Sequence, residues 1–212
     1  MENKYEAFNT ALSKYDKPQC VKITMEFLSI PEPDIVGFYE TVLRPALTSI
    51  ASNDVIQEIP IWDEHLRSAI IRSVIELCYP VVLQEAQASN GRKAAVFCTE
   101  DETHEIGARM VADYLTLLGF DAIFIGASTP ITSILDAIHW LKPDIVAISV
   151  TNYYHLVALS SLIQQIREHS DINTKIVIGG YAIDTLKDTR TFGADFISRT
   201  YDDLKKVKEA IQ

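Results

Sequence analysis

The sequence predicts an all-α four-helix bundle followed by an α/β domain with a five-stranded parallel sheet. Before residue 88, apolar residues recur with the i, i+3, i+4 spacing of amphipathic helices. After Gly91, short apolar runs alternate with helical stretches long enough to serve as crossovers. Apolar strands alternating with helices are typical of a parallel sheet that is covered on both faces. The change of pattern at residues 88–91 therefore predicts two domains, residues 1–88 and residues 92–212.

Four helices are expected in the first domain, because four segments each carry one apolar stripe. These segments are residues 5–15, 19–30, 34–51 and 62–87. Pro31 and Pro33 separate the second helix from the third, since proline cannot donate a backbone hydrogen bond. Pro45 and Pro80 fall inside helical patterns, where we expect a kink or an interruption.

The second domain is expected to hold five strands connected by helices. The strands are residues 93–98, 122–125, 145–150, 175–178 and 195–197, and the main helices are residues 106–118, 131–141, 155–169 and 202–211. Thr129-Pro130 fits a helix start, with a hydroxyl at the N-cap and proline at the first helical position. Parallel sheets bind ligands beyond the carboxyl ends of their strands. Functional residues are therefore expected in the loops at residues 99–104, 126–130, 151–154 and 179–181.

Composition excludes some classes of function. The 212 residues are 48% hydrophobic and 23% charged, as in globular proteins, and the formal net charge is -10. Because an acidic chain offers no basic surface to phosphates, no direct nucleic-acid partner is expected. The N-terminal residues do not resemble a signal peptide, and no apolar run could cross a bilayer, so we expect a cytoplasmic location without membrane contact. Cys20, Cys78 and Cys98 are widely spaced and are expected to be free thiols.

The loop after the first predicted strand concentrates acidic groups around one imidazole. Four carboxylates flank His104 within residues 98–107. A metal-ligating histidine usually donates its other ring N–H to a carboxylate, and Glu102 is well placed to accept that hydrogen bond. Gly107 falls in the first turn of the next helix, where a missing side chain leaves room for a bulky group. The alternative is structural, since acidic residues favour helix N-termini and histidine is common on surfaces.

The segment Glu102-x-His104-x-x-Gly107 resembles the D/E-x-H-x-x-G signature of proteins that bind vitamin B12 in the base-off form. The resemblance implies a cobalamin cofactor whose cobalt is ligated by His104 in place of the dimethylbenzimidazole of the cofactor. It also implies that Glu102 orients His104. Many corrinoid proteins have aspartate where this sequence has Glu102, so the length of that side chain is a departure, although the type of hydrogen bond is the same.

Later residues extend this resemblance over residues 92–212. The matching positions end the second, third and fourth predicted strands: Gly126, Ser149, Thr151, Gly179 and Gly180. In the B12-binding proteins the serine at the position of Ser149 and the turn at Gly179-Gly180 line the displaced nucleotide tail of the cofactor, and the resemblance makes Gly126 and Thr151 cofactor-binding candidates as well. The resemblance therefore implies a Rossmann-like, flavodoxin-like sheet with a cobalamin tail between strands and helices. His155, in the same region, is expected at the surface at the start of a helix, with a contact to the tail as the alternative.

The helical domain resembles the cap of B12-dependent light-sensing regulators at Glu64-His65. The resemblance implies that the corrin lies between the cap and the α/β domain, with Glu64 and His65 facing the upper ligand. The alternative is a solvated helix face. The tryptophan and histidine of the light-sensing pattern would fall at Asp54 and Val55, so a light-switched DNA-binding repressor is not expected. Val55 is small enough to leave the upper face clear for a methyl group.

Three functions are compatible with these residues. The favoured one is a sensory or regulatory cobalamin-binding module, which is not itself an enzyme. The second is a corrinoid methyl carrier, the cofactor-bearing subunit of a methyltransferase system. The third is a small zinc hydrolase that uses His104 with Glu102, Asp101 or Cys98. The sequence leaves open the adenosyl, methyl or hydroxo form of the cofactor, the identity of a protein partner, and homo-oligomer formation.

Overall fold

A computed structural model of the chain describes residues 2–55, 60–169, 174–184, 186 and 192–211, with the side chains of residues 2–4 and 51–55 outside the description. The chain forms two compact units, Met1–Glu85 and Ala86–Gln212. Among the described residues, no helix combines the length and the apolar character needed to span a membrane.

The first unit is helical, as predicted. Its helices are α1 (Glu2–Ser13), α2 (Lys17–Leu28), α3 (Ile35–Phe38), α4 (Arg44–Val55) and α5 (Ile61–Glu85), and a π-helical turn, Tyr39–Leu43, joins α3 to α4. Carboxylates cap two of these helices, because Asp16 accepts from the backbone N–H of Gln19 and Asp34 from that of Gly37. Phe8, Phe27 and Phe38 pack together in the core, with the last two rings stacked 4.6 Å apart.

The π-helical turn lies directly before Pro45. Arg44 donates its backbone N–H to Tyr39, five residues back instead of four. A proline ring crowds the carbonyl four residues before it, which for Pro45 is Thr41, and a wider turn relieves that crowding. The expected interruption at Pro45 therefore takes the form of a π-helical turn. Pro80, in contrast, lies inside α5 without ending the helix.

The second unit is a five-stranded parallel sheet with strand order β2-β1-β3-β4-β5. The strands are β1 (Lys93–Cys98), β2 (Asp121–Gly126), β3 (Ile145–Ser149), β4 (Lys175–Gly179) and β5 (Phe196–Ile197). The helices are α6 (Ile106–Leu117), α7 (Ile131–Leu141), α8 (Leu156–His169), α9 (Tyr181–Asp184) and α10 (Tyr201–Ala210). The predicted sheet is confirmed, and each predicted strand and main helix agrees with the structure to within one residue at either end.

The start of α7 differs in detail from the expectation. Pro130 occupies the N-cap position, with an extended ψ of 142°, and the helix begins at Ile131. The hydroxyl of Thr129 donates to the carbonyl of Ala127 at 3.4 Å and therefore does not cap the helix. Pro130 therefore lies at the N-cap position, whereas we expected it at the first helical position.

The strand register aligns the predicted binding edge of the sheet. Cys98 of β1 is paired with Ser149 of β3, and Ser149 with Gly179 of β4. On the other side of β1, the register shifts after Val96, so that Phe97 is paired with Gly126 at the end of β2. The carboxyl ends of four strands therefore lie along one edge, and the loops that follow them are neighbours.

We expect Gly180→Ala to destabilise the cofactor-free protein by more than about 2 kcal/mol. Gly180 has a φ of +103°, and a Cβ there would lie 2.4 Å from the backbone oxygen of Val150. The matched control is Gly107→Ala in α6, where a Cβ meets no atom within 4 Å. That control should change the free energy of unfolding by no more than about 1 kcal/mol. Chemical denaturation measures both, and equal losses in the two variants would contradict this account.

Candidate functional site

The loop after β1 turns back on itself at Asp101. This residue has a φ of 64°, a left-handed conformation that aspartate tolerates better than most residues. The backbone N–H of Glu102 donates to the carbonyl of Thr99 at 3.1 Å and closes the turn. As a result Glu102 points inward and is completely buried, although it belongs to a surface loop.

The buried carboxylate of Glu102 accepts hydrogen bonds from five N–H groups. Its Oε1 accepts from the backbone N–H of His104 at 3.1 Å and from the ring Nδ1 of His104 at 2.5 Å. Its Oε2 accepts from the backbone N–H groups of Thr151 at 2.9 Å and Asn152 at 2.8 Å. The ring Nδ1 of His155 reaches the same oxygen at 3.1 Å. The hydrogen bond expected between Glu102 and His104 is therefore present, within a larger cluster.

These donors keep Glu102 ionised. Burial alone raises the pKa of this carboxyl, but the hydrogen bonds from the His104 ring, the backbone of Asn152 and His104, and the His155 ring outweigh it and lower the pKa to about 2. An ionised carboxylate can only accept hydrogen bonds. The Nδ1 atoms of both histidines therefore carry the hydrogen in these contacts.

The tautomer of His104 follows from this hydrogen bond. With the hydrogen on Nδ1, the neutral ring carries its lone pair on Nε2, which is the atom that can bind a metal. The side chain of His104 is 34% exposed, while its carboxylate partner is fully buried. Of the two ring nitrogens of His104, Nε2 is therefore the one that this hydrogen bond leaves as a possible metal ligand.

Neighbouring loops hold this arrangement in place. The backbone carbonyl of Glu102 accepts from Ser128, in the loop after β2, at 2.8 Å. Its carboxylate binds Thr151 in the loop after β3. That loop is in turn linked to the end of β4, because Val150 donates to the carbonyl of Gly179 at 2.9 Å. The loops after β1, β2 and β3 and the end of β4 are therefore connected around Glu102.

The predicted glycines lie along this edge for different reasons. Gly107 is exposed in the first turn of α6, with open space where a side chain would be. Gly126 ends β2, and a Cβ there would meet only the Thr129 hydroxyl at 4.0 Å. At Gly179, in contrast, a Cβ would lie 2.5 Å from the backbone oxygen of Ser198. Gly179 and its neighbour Gly180 are thus required by close backbone packing, whatever their role toward a cofactor.

Two further predicted residues occupy the end of β3. Ser149 is the last residue of the strand and is 8% exposed, between its paired neighbours on β1 and β4. Thr151 contributes its backbone N–H to the Glu102 carboxylate. Ser149 lies where the resemblance puts the cofactor tail, and the contact of either residue with a cofactor stays a prediction.

Glu64 and His65 belong to the first unit, in the first turn of α5. Glu64 is half-buried and His65 is exposed. The preceding residue, Asp63, is buried and forms an ion pair with Arg67 at 2.9 Å and a hydrogen bond with the Tyr15 hydroxyl. This contact fixes the turn that carries the pair.

Val55 ends α4, and its side chain lies outside the described residues. The roles of Val55, Glu64 and His65 toward a cofactor therefore stay predictions.

Sequence reasoning missed the role of His155. We expected a surface residue at a helix start, but its side chain is 19% exposed and contacts the buried Glu102. A signal was available, because β1 and β3 are neighbours in the flavodoxin-like strand order 2-1-3-4-5 and His155 follows β3 just as Glu102 follows β1. Asn152 was missed for another reason, since its contribution is a backbone N–H and does not depend on the side chain.

The zinc alternative has no support from this geometry. The thiol of Cys98 is buried and donates to the carbonyl of His104, 3.7 Å from the sulfur. Burial, followed by the nearby charges of Glu102 and Glu105, raises the pKa of this thiol to about 12, so without a metal it is a neutral thiol at physiological pH. Throughout the described ranges, no three His, Cys, Asp or Glu side chains are grouped to hold a metal ion.

Comparison with known families gives a match over the second unit. Residues 92–205 match the B12 binding domain, which is more than half of the 212 residues. The matched range begins just before β1 and ends within α10, so it includes every loop of the edge described above.

Two curated relatives represent different functions. The chain is 23% identical over 177 residues to the HTH-type transcriptional repressor CarH of Myxococcus xanthus, covering 84% of this chain and 57% of that protein. It is 27% identical over 130 residues to the trimethylamine corrinoid protein of Methanosarcina barkeri, covering 60% of this chain and 59% of the relative. The matches thus span less than two thirds of either relative.

Solved structures share the fold. The monomethylamine corrinoid protein of Methanosarcina barkeri matches with a TM-score of 0.82 at 16% identity, and the match covers 99% of both chains. The methanol:cobalamin methyltransferase complex MtaBC of the same organism matches with a TM-score of 0.53 at 16% identity, covering 99% of this chain and 80% of that one. Because both matches cover 99% of this chain, the shared fold includes the helical unit as well as the α/β unit.

We expect Glu102→Gln to destabilise the cofactor-free protein on the order of 3 kcal/mol at neutral pH. The pKa of Glu102 falls from 4.5 to about 2 on folding, so its ionised form stabilises the folded state at every pH above 4.5. This contribution is lost as the pH falls from 4.5 towards 2, because the unfolded chain then binds the extra proton. The stability difference between wild type and variant should shrink over the same range.

The control for this prediction is Asp101→Asn, which removes an exposed carboxylate from the same turn and keeps a residue that tolerates a left-handed φ. Its effect should stay within about 0.5 kcal/mol. Urea unfolding at a series of pH values provides the measurement. A pH-independent difference for Glu102→Gln would show that the ionised carboxylate is not the source of the stability.

Proposed function

Because this chain belongs to the B12 binding domain family, we propose that it holds cobalamin in the base-off form, with Nε2 of His104 as the lower axial ligand of cobalt. The observation that carries the proposal is the hydrogen bond of 2.5 Å between Nδ1 of His104 and the buried, ionised Glu102. This bond fixes both the ring orientation and the tautomer that a metal requires. Cobalamin itself supplies the cobalt chemistry, and the protein supplies the ligand and its surroundings.

Other residues of the α/β unit fit a bulky cofactor above His104. The open space at Gly107 allows a large ring system to approach the backbone at the start of α6. Gly126, Ser149, Thr151, Gly179 and Gly180 lie at the strand ends where the family accommodates the nucleotide tail. We propose that the tail lies along this edge of the sheet.

We further propose that the protein is a regulatory B12 module, with Glu64 and His65 contacting the upper ligand of the cobalt. The similarity to CarH, which covers 84% of this chain, supports this role. So does the local structure of α5, because Asp63 anchors the turn from which Glu64 and His65 project. A carboxylate and an imidazole can hydrogen-bond the ribose and adenine of an adenosyl group. We expect a protein partner for such a module, and the acidic charge of the chain argues against direct nucleic-acid binding.

The second candidate is a corrinoid methyl carrier. The full-length fold likeness to the monomethylamine corrinoid protein, with 99% of both chains covered, favours it. In that function the cofactor would exchange a methyl group between partner methyltransferases, and the small Val55 would leave space for it. The two candidates share His104 and Glu102 and differ in which upper ligand the protein should prefer.

We expect His104→Ala to weaken cobalamin binding by at least about tenfold and to remove the protein nitrogen from cobalt. The measurement is electron paramagnetic resonance of cob(II)alamin bound to protein uniformly labelled with nitrogen-15. A histidine ligand then splits the cobalt lines into doublets, whereas the dimethylbenzimidazole of unlabelled cofactor splits them into triplets. His169→Ala, at the exposed end of α8, is the control and should keep the doublets. Triplets in the wild type would refute His104 ligation.

We expect the wild type to bind adenosylcobalamin about tenfold more tightly than methylcobalamin, since Glu64 and His65 can each add a hydrogen bond to the adenosyl group. The double variant Glu64→Ala/His65→Ala should lose this preference and keep its affinity for methylcobalamin. Glu76→Ala, on an exposed face of the same helix, should change neither affinity. Titration followed by visible absorption measures all three proteins. Equal affinity of the wild type for the two forms would favour the methyl carrier.

A further inference from the structure

The two oxygens of the Glu102 carboxylate have separate tasks. Oε1 accepts from the backbone N–H and the ring of His104. Oε2 binds the loop after β3, through Thr151, Asn152 and His155. The carboxylate therefore connects the proposed cobalt ligand, His104, to the loop after β3. Whatever holds Oε2 in place also determines where Oε1 can meet the His104 ring.

Among the described residues that donate to Oε2, His155 is the one that uses a side chain. The N–H groups of Thr151 and Asn152 belong to the backbone, so substitution of those side chains leaves the donors in place. The ring of His155, in contrast, is a donor that a single substitution removes. Because Glu102 is fully buried, water cannot replace a lost donor without a rearrangement of the loop.

The turn that carries His155 is itself well defined. Residues Tyr153–His155 form a single 3₁₀ turn, capped by the side chain of Asn152, which accepts from the N–H of Tyr154 at 3.0 Å. The backbone N–H of His155 donates to the carbonyl of Asn152 at 3.0 Å. The ring therefore reaches Glu102 from a fixed backbone. Its hydrogen bond needs a hydrogen on Nδ1, and both the neutral and the protonated ring can provide one.

We propose that His155 is a positioning residue for the cobalt ligand, and that it acts on His104 through the shared carboxylate of Glu102. The inference rests on the proposed function, since it assumes that His104 ligates cobalt. His155 does not itself contact the metal. It holds Oε2 so that Oε1 faces Nδ1 of His104, and this preserves the direction in which Nε2 points. Loss of the His155 donor should leave the fold intact and misalign the ligand.

The test compares three substitutions of His155. Two place one side-chain N–H group at different positions, and the third removes it. In His155→Asn the side-chain amide nitrogen takes the place of Nδ1, because both atoms are bonded to Cγ. In His155→Gln the amide nitrogen takes the place of Nε2, one bond further out. His155→Ala has no donor. Tyr154→Ala alters the same turn at a side chain that is 89% exposed, keeps the backbone N–H bound to Asn152, and serves as the control.

We expect His155→Ala and His155→Gln to bind cobalamin about tenfold more weakly than the wild type, the lower end of the effect known for residues that orient metal ligands. The doublet splitting of cob(II)alamin in nitrogen-15 protein should be reduced in the same two variants. His155→Asn should restore both properties, and Tyr154→Ala should change neither. Thermal melting of the cofactor-free proteins checks that each variant is folded. If His155→Ala does not fold, the difference in cobalamin affinity and splitting between His155→Asn and His155→Gln decides whether the inference holds.

Each outcome separates this inference from the proposed function. If the wild type shows the doublets and all three His155 variants match it in affinity and splitting, the role of His155 is refuted while His104 ligation stands. If Asn and Gln behave alike, the position of the donor does not matter and the inference is again refuted. If the wild type lacks the doublets, His104 is not the ligand and the inference fails with the proposed function.

Discussion

One buried carboxylate organises the functional edge of this protein. Glu102 is ionised and fully inaccessible to solvent, and an unpaired charge in such a place would cost several kcal/mol. Five N–H groups satisfy it, and they come from its own loop and from the loop after β3. The need to satisfy this charge therefore fixes the relative positions of loops that are distant in sequence. The orientation of His104 is one consequence of that requirement.

The topology of the sheet makes the cluster possible. With strand order β2-β1-β3-β4-β5, β1 has β2 on one side and β3 on the other, so the loop after β1 can touch both neighbouring loops. Glu102 uses this position fully, because its carbonyl binds Ser128 and its side chain binds Thr151 and Asn152. A residue after an edge strand could reach one neighbour only. The chemistry therefore lies at the point where the strand order reverses, as expected for open parallel sheets.

Local patterns in the sequence were enough to predict the elements of the α/β unit to within one residue, because its strands are apolar and its helices have clear boundaries. They also predicted the contact between Glu102 and His104, which are two residues apart. His155 was not predicted, since its partner is 53 residues away and the contact depends on strand order and on the turn at Tyr153–His155. The π-helical turn before Pro45 shows the same limit, because a sequence pattern marks a disturbed helix without specifying its form.

The glycines show why a sequence signature and a binding site are not the same thing. Gly107 and Gly180 both belong to the resemblance, yet a side chain at Gly107 would meet open space, whereas one at Gly180 would collide with the backbone of Val150. Gly180 is thus needed for β4 to pack against the end of β3, with or without a cofactor. Gly107 has no such packing reason, and its φ is available to any residue. Of the two glycines, Gly107 is therefore the one that close backbone packing does not require, and a role toward the proposed cofactor would account for it.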